Sequence, residues 1–249
     1  MFYASFFGWI GRIVGEYSLQ ILKGIGITLL LSLVGTVVGF IIACIFSYIK
    51  TKKDAGVICR ILRVFVNAYV TVIRGTPMMV QALIFYYSFK LMGINWDPLA
   101  SGLFTVSINT TAYLTEVLRG GIESVDNGQY EAARSVGMGS FQTMLFVIYP
   151  QAIKNSMAAI GNEFIVNIKD TSVLNVIGVI EVYNACLMAG NKYFKVVEAM
   201  SIAAIIYLVL TLTSSYILKA IERRVGSPVK DYKALMERMN NVRKNKRNN

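Results

Sequence analysis

Residues 24–49 read GIGITLLLSLVGTVVGFIIACIFSYI and contain no charged side chain. As an α-helix this segment would be about 39 Å long, which exceeds the roughly 30 Å thickness of the hydrocarbon core of a bilayer. We therefore expect a transmembrane helix here. Gly35 and Gly39 form a GxxxG pair within it, a spacing that lets a neighbouring helix approach closely.

The composition of the whole chain is also typical of a membrane protein. Of its 249 residues, 55% are hydrophobic and 16% are charged, whereas a soluble domain carries about 25% charged residues. The apolar residues come in long runs that one soluble core could not bury. There is no histidine and no cysteine pair at metal-ligand spacing, so we expect neither a metal site nor a cofactor bound by this chain.

The net charge of +11 is concentrated in two stretches. Residues 50–63 hold five basic residues and one acidic residue, and residues 219–249 hold ten basic and three acidic residues. Both stretches border hydrophobic segments, where an excess of Lys and Arg marks the cytoplasmic side. We therefore expect both stretches on the cytoplasmic side of the lipid bilayer in which the chain lies, and we expect no nucleic-acid partner.

Four further hydrophobic segments follow the first. Residues 61–92 form a long segment that is interrupted at residues 74–77, which read RGTP. Because Pro77 lacks a backbone N–H and disfavours helical geometry at the residue before it, we expect a kink or break there. The remaining predicted spans are 99–118, 143–168 and 196–218. The predicted fold class is an all-α integral membrane protein with about five transmembrane helices.

The two ends of the chain differ from its middle. Residues 1–23 place aromatic and aliphatic side chains at spacings of three and four, which predicts an amphipathic helix in the membrane interface. Residues 24–222 form the transmembrane domain, and residues 223–249 form a basic cytoplasmic tail. With five spans, the positive segments place the N-terminus outside and the C-terminus in the cytoplasm. Residues 119–142 then face the cytoplasm as well.

The loop after the third span contains the most informative motif. Residues 131–150 read EAARSVGMGSFQTMLFVIYP. They resemble the cytoplasmic loop of the permeases of binding-protein-dependent ABC importers, in which E-A-A is followed by a glycine after three residues and by I-x-L-P after nine more. Val147 and Tyr149 replace the isoleucine and the leucine of that pattern. The residues that match it outright are Glu131, Ala132, Ala133, Gly137 and Pro150.

The resemblance implies that the coupling loop, residues 123–150, folds as two short helices that dock on a separate ATPase subunit. Glu131 would stand near the start of the first helix, where the helix dipole favours a carboxylate. The two small alanines would let that helix enter a groove of the ATPase. Gly137 would allow the sharp turn between the helices, and Pro150 would begin the next span, at a position that requires no backbone donor.

Three other stretches narrow the resemblance to permeases of polar amino acids, of the histidine and glutamine type. Residues 74–81 read RGTPMMVQ, residues 112–122 follow the pattern A-Y-x-x-E-x-x-R-G-G-I, and residues 161–172 contain GNEF and IKDTS. The resemblance covers roughly residues 18–222. It implies a type I ABC importer permease fold, a second permease subunit (the same or a related chain) and an extracellular solute-binding protein.

The chain contains no G-x-x-x-x-G-K-[ST] sequence, so we expect no phosphate-binding loop of its own. ATP and Mg²⁺ would bind on the partner ATPase subunits, and this chain would not be an enzyme by itself. The expected function is inward transport of a polar amino acid, or a close derivative, across a bacterial cytoplasmic membrane. The alternative is a secondary transporter or channel that works without an ATPase. It would need an ion-coupling site or repeated halves, and we find neither in the sequence.

Polar side chains within the predicted spans are candidates for contact with the solute, because such residues usually face a cavity or another helix. The candidates are Asn109, Tyr113, Glu116, Asn162 and Glu163. The first three share one helical face, and the last two lie near the middle of the next span. Together they offer donors for a carboxylate and acceptors for an ammonium group. Two alternatives stay open: Glu116 could form a structural ion pair with Arg119, and the asparagines could be interhelical hydrogen bonds.

Overall fold

The computed structural model describes residues 2–52 and 56–225, and the described residues are almost entirely helical. The helices are α1 (Phe2–Thr51), α2 (Val57–Arg74), α3 (Met78–Leu91), α4 (Pro98–Glu123), α5 (Asn127–Ser135), α6 (Ser140–Thr143), α7 (Tyr149–Asp170), α8 (Val182–Tyr193) and α9 (Val196–Val225). A π-helical turn, Met144–Ile148, joins α6 to α7, and a 3-10 segment, Thr171–Ile177, follows α7. The described part of the chain contains no strand, so the predicted all-α class is confirmed.

Each of the five predicted spans is helical, although the helices differ in apolarity. Phe6–Thr51 and Val196–Arg224 are each long and apolar enough to cross a membrane on their own. A third candidate is the bent pair Ser140–Ile177 and Val182–Tyr193, which meet at 53°. α4 is less apolar because serines, threonines and an asparagine lie on its buried side.

The break at Pro77 lies where the sequence predicts it. Pro77 has an extended conformation, with φ −65° and ψ 136°, and it precedes the first residue of α3. The side-chain amide of Gln81 donates to the carbonyl oxygens of Ile73 at 2.8 Å and Thr76 at 3.0 Å. These bonds satisfy acceptors that the end of α2 would otherwise leave without partners.

Small residues let α1 lie directly against α4. A Cβ atom built at Gly39 would lie 2.9 Å from Cβ of Thr110, and one built at Gly35 would clash with Val106. The close approach predicted from the GxxxG pair is therefore confirmed. The side-chain amide of Asn167 links α7 to both α1 and α4, because its Nδ2 lies 2.9 Å from Oγ1 of both Thr36 and Thr110.

The N-terminal part of α1 is continuous with the first span. There is no break near residue 23, so the predicted amphipathic segment and the span form one helix. Ile13 and Ile21 are buried against α8 and α9. The location of residues 1–23 in the membrane interface stays a prediction. The basic tail begins in the last turn of α9, and its residues 226–249 lie outside the described part of the chain.

Residues 169–195, between the last two predicted spans, contain a helix although their sequence mixes polar and apolar residues. This helix is α8, which begins after Glu181, a residue with 0% exposure. The Glu181 carboxylate accepts hydrogen bonds from the Thr28 hydroxyl at 3.2 Å, from the Asn184 backbone N–H at 3.2 Å and from the Tyr207 hydroxyl. One buried carboxylate thus joins α1, α8 and α9.

Candidate functional site

α5 and α6 are two short helices within the segment where the resemblance implies them. Gly137 lies between them with φ +86°, in the left-handed region that glycine adopts without strain. The backbone N–H groups of Gly137 and Met138 donate to the carbonyl oxygens of Arg134 and Ala133, both at 3.1 Å. These bonds end α5 and turn the chain towards α6. We call the end of the molecule that carries α5 and α6 the loop end.

Glu131 does not stand at the start of α5. The helix begins at Asn127, and the Asp126 carboxylate accepts a hydrogen bond from the Gly128 N–H at 2.7 Å. Glu131 is the fifth residue of the helix, beyond the first turn in which the helix dipole acts. The expectation that the dipole favours the Glu131 carboxylate is therefore wrong. Asp126 has that role, and the Glu131 side chain is exposed.

The two alanines of the motif face different ways. Ala133 is buried, with 6% exposure, whereas Ala132 is exposed. Val136 and Phe141 are 78% and 62% exposed. The loop end therefore presents apolar side chains beside a small residue and a carboxylate, a combination that suits a groove on another protein.

A π-helical turn precedes Pro150. The backbone N–H of Tyr149 donates to the carbonyl of Met144, five residues earlier. Pro150 is the second residue of α7, but α6, the π-helical turn and α7 are contiguous, so this proline lies within a helical segment and does not begin it as the motif implies. Proline can neither donate to the preceding turn nor tolerate its carbonyl nearby, and a widened turn gives the ring room.

Aromatic side chains attach the coupling loop to α1. The Tyr149 hydroxyl lies 2.9 Å from the Ser47 hydroxyl and also donates to the Cys44 carbonyl. The rings of Tyr48 and Phe141 pack edge to face, with their centres 5.9 Å apart. A displacement of α6 or of the start of α7 would therefore act on the last turns of α1.

Glu116 lies in a chain of ion pairs at the loop end. Lys50 of α1 donates to one oxygen of Glu116, and Arg119 Nε lies 2.9 Å from the other. Arg119 Nη1 also lies 2.6 Å from Glu123. The structural ion pair, one of the two alternatives left open by the sequence, is present. Beside it, a cavity of about 350 Å³ separates the ends of α1 and α4 from α5 and α6.

Arg74 lies against another candidate residue, Tyr113. Its guanidinium carbon lies 5.2 Å from the centre of the Tyr113 ring, a cation–π distance. Among the described residues it forms no ion pair with Glu163, and its charge reaches that carboxylate only at longer range. The sequence analysis did not select Arg74, although a charged residue inside a hydrophobic segment is itself a signal of function.

The two asparagines lie elsewhere. Asn109 is buried, and its side-chain amide donates to Gln81 at 3.1 Å, so it links α4 to α3. Asn162 is exposed and lines a different cavity, of about 260 Å³, between α7 and α9. Of the five candidates, Tyr113 is the one that contacts Arg74, a cation that was not predicted as a site residue.

Known proteins resemble this chain over most of its length. Residues 55–227 match the family described as binding-protein-dependent transport system inner membrane component. The arginine transport system permease protein ArtQ of Bacillus subtilis (strain 168) is 34% identical over 208 residues, which are 83% of this chain and 93% of ArtQ. The glutamine transport system permease protein GlnP of Escherichia coli (strain K12) is 33% identical over 209 residues, which are 82% of this chain and 92% of GlnP.

Solved structures share the arrangement of helices. The crystal structure of an amino acid ABC transporter with histidines has a TM-score of 0.75 and 35% identity, covering 85% of this chain and 96% of that chain. The inward-facing MetNI methionine ABC transporter, at 16% identity and a TM-score of 0.70, covers 84% of this chain and 97% of that chain, and it shows the fold alone. The chain therefore belongs to the family of inner-membrane components of binding-protein-dependent transport systems, as the permease subunit of an ABC importer.

Proposed function

We propose that this chain forms the passage of a polar amino-acid importer whose ATPase is a separate subunit, docked on α5 and α6. The observation that carries the proposal is the loop end, where Glu131 and Ala132 on α5 and Val136 just after it are exposed, before the turn at Gly137. The relatives named for arginine and glutamine support the solute class, because more than 90% of each relative's length is covered. ATP and Mg²⁺ would bind on the ATPase subunits, and a second permease copy or relative would complete the passage.

We further propose that the loop end faces the cytoplasm, so that the N-terminus lies outside and the C-terminus inside. Described residues of the basic stretch 50–63 lie at this end, since Lys50 binds Glu116 in the last part of α4. Arg63, near the start of α2, donates to backbone carbonyls of Ile49 and Lys52 at the end of α1. Such clusters of cations favour the cytoplasmic side of a membrane.

The solute would pass the cluster formed by Arg74, Tyr113 and Glu163. Arg74 is the last residue of α2, before the break that precedes α3. Tyr113 and Glu163 lie within α4 and α7, away from the helix ends. A guanidinium can hold a carboxylate, and a glutamate can hold an ammonium group. An amino acid carries both groups. Because Asn109 and Glu116 already have protein partners, we assign them supporting roles rather than solute contacts.

Dependence on the ATPase distinguishes this proposal from a secondary transporter. The full chain would be reconstituted in liposomes with its ATPase and its solute-binding protein, and uptake of labelled glutamine and arginine would be measured. We expect uptake with ATP inside the liposomes and none when the ATPase is left out. Uptake that proceeds at the same rate without the ATPase would overturn the proposal.

A further inference from the structure

The loop end of α9 carries a basic face. Tyr216, Lys219 and Arg223 are spaced by three and four residues and so lie on one side of the helix. With Ala220 they line a shallow groove of about 230 Å³. The Tyr216 side chain is 82% exposed. The groove is therefore open on its aromatic side and positively charged on the other.

The two cations of this face have no anionic partner in the described part of the chain. Neither Lys219 nor Arg223 forms a hydrogen bond or an ion pair there, and Glu222, the acid nearest in sequence, does not bind them. Lys50 and Arg119, at the same end of the molecule, are held by glutamates. Among the described residues, the basic face of α9 is thus open to an anion.

The position of this face on α9 indicates which anion it would meet. α9 is long and apolar enough to span a membrane, and only 17% of its most apolar window is buried. Tyrosine near the end of such a helix is typical of the level of the lipid headgroups. Residues 226–249 follow α9 in the sequence and hold seven Lys or Arg and two acidic residues, and such a basic segment attracts anionic lipids.

We infer that Lys219 and Arg223 bind the phosphate headgroup of an anionic phospholipid, with Tyr216 against its glycerol and upper acyl region. The ammonium and guanidinium groups would donate charge-assisted hydrogen bonds to the phosphate oxygens. The assignment to the cytoplasmic leaflet rests on the proposed orientation of the importer. An anchored lipid fits better than free phosphate, because the exposed aromatic ring next to the cations needs an apolar partner.

Native mass spectrometry of the full chain in detergent, titrated with dioleoylphosphatidylglycerol, tests this inference. Each cation near a membrane surface contributes about 1 kcal/mol, so the double variant Lys219→Gln/Arg223→Gln should bind this lipid about 30-fold more weakly. The control variant Lys244→Gln/Lys246→Gln removes the same charge from the tail and should change binding far less. Dioleoylphosphatidylcholine should bind the wild-type chain weakly.

Several results would contradict a lipid site on α9. Equal losses in the two double variants would mean that the whole tail attracts lipid without a defined site. Displacement of phosphatidylglycerol by millimolar inorganic phosphate would identify a free-anion site. Loss of the ATPase subunit from the Lys219→Gln/Arg223→Gln variant, with lipid binding intact, would identify a protein partner. None of these measurements requires transport, so they stand apart from the test of the importer function.

Discussion

Glu181 is a carboxylate with 0% exposure in a membrane protein, and its partners are a threonine, a tyrosine and a backbone N–H. All three act as donors, so the side chain must accept on both oxygens. We expect Glu181→Ala to leave these donors without a partner, at a cost of about 3 kcal/mol or more. The melting temperature in detergent should fall by about 6–12 °C.

Glu198 provides the matched control for that change. It is also buried, but its ion pair with Lys195 is long, at 3.6 Å, and lies near the start of α9. Glu198→Ala should therefore lower the melting temperature less than Glu181→Ala does. If Glu181→Ala melts at the wild-type temperature, the carboxylate is not what joins α1, α8 and α9.

Substitutions of Glu163 and of its neighbour Asn162 test the proposed solute site on α7, because only Glu163 is assigned to that site. Losing one hydrogen bond to a charged solute group costs about 1.5–3 kcal/mol, so Glu163→Gln should weaken the apparent affinity for solute roughly ten- to hundred-fold. Basal ATP hydrolysis should be unchanged, because the coupling loop is intact. Asn162→Ala, in a different cavity, should leave the affinity unchanged. Transport at matched amounts of assembled complex measures both, and wild-type affinity in Glu163→Gln would remove this residue from the site.

The end of α1 and the end of α4 are held together by the ion pairs of Lys50, Glu116 and Arg119. These helix ends border the cavity behind α5 and α6. We expect Lys50→Met to loosen α1 from α4 beside the coupling loop, so that more ATP is hydrolysed for each solute carried. Lys52→Met should not do so, because Lys52 contacts the ring of Tyr48 and no acid in the described residues.

The ratio of ATP hydrolysed to solute carried, measured in liposomes, decides what the ion pairs do. A solute-binding role for Glu116 makes a different prediction, since its loss would change the apparent affinity and leave the ratio constant. If Lys50→Met and Lys52→Met show the same ratio as the wild type, the ion pairs have no part in coupling.

Structural features that depend on a residue's own chemistry or on its neighbours in the sequence could be predicted. Pro77 breaks a helix because of its own ring, and Gly137 sits in a turn that only glycine enters without strain. α8 was missed because its start depends on contacts of Glu181 with residues 26 and 153 positions away. Asp126 could have been recognised as the start of α5, since Asp is a favoured N-cap residue.

The solute site was harder to predict than the helices. Polar residues on one face of α4 share a direction, but the sequence does not show which of them already have partners. Asn109 is bonded to Gln81, and Glu116 to Lys50. Arg74, which contacts Tyr113, is the last residue of α2 before the break at Pro77, and the sequence does not show which side chain it meets there.

The molecule as a whole has a basic loop end, and its orientation in the membrane can be tested with its own cysteines. Cys59 lies in the first turn of α2 and is partly exposed, whereas Cys186 is buried. We expect an impermeant maleimide to label Cys59 only when it is added from the cytoplasmic side. Cys59→Ser should abolish that labelling. Labelling of Cys59 in intact cells would place the loop end outside, where it could not meet an ATPase.

The proposed coupling of this permease to an ATPase through α5 and α6 has a matched test, because two glycines share a backbone conformation. Gly137 and Gly93 both have positive φ, at +86° and +81°, and both have open space where a side chain would extend. They differ in location, since Gly137 lies in the coupling loop and Gly93 in the turn between α3 and α4. The measurement is receptor-stimulated ATP hydrolysis and uptake by the reconstituted complex carrying Gly137→Trp or Gly93→Trp. We predict that both activities are lost in Gly137→Trp and retained in Gly93→Trp; wild-type uptake by Gly137→Trp would contradict the proposed coupling.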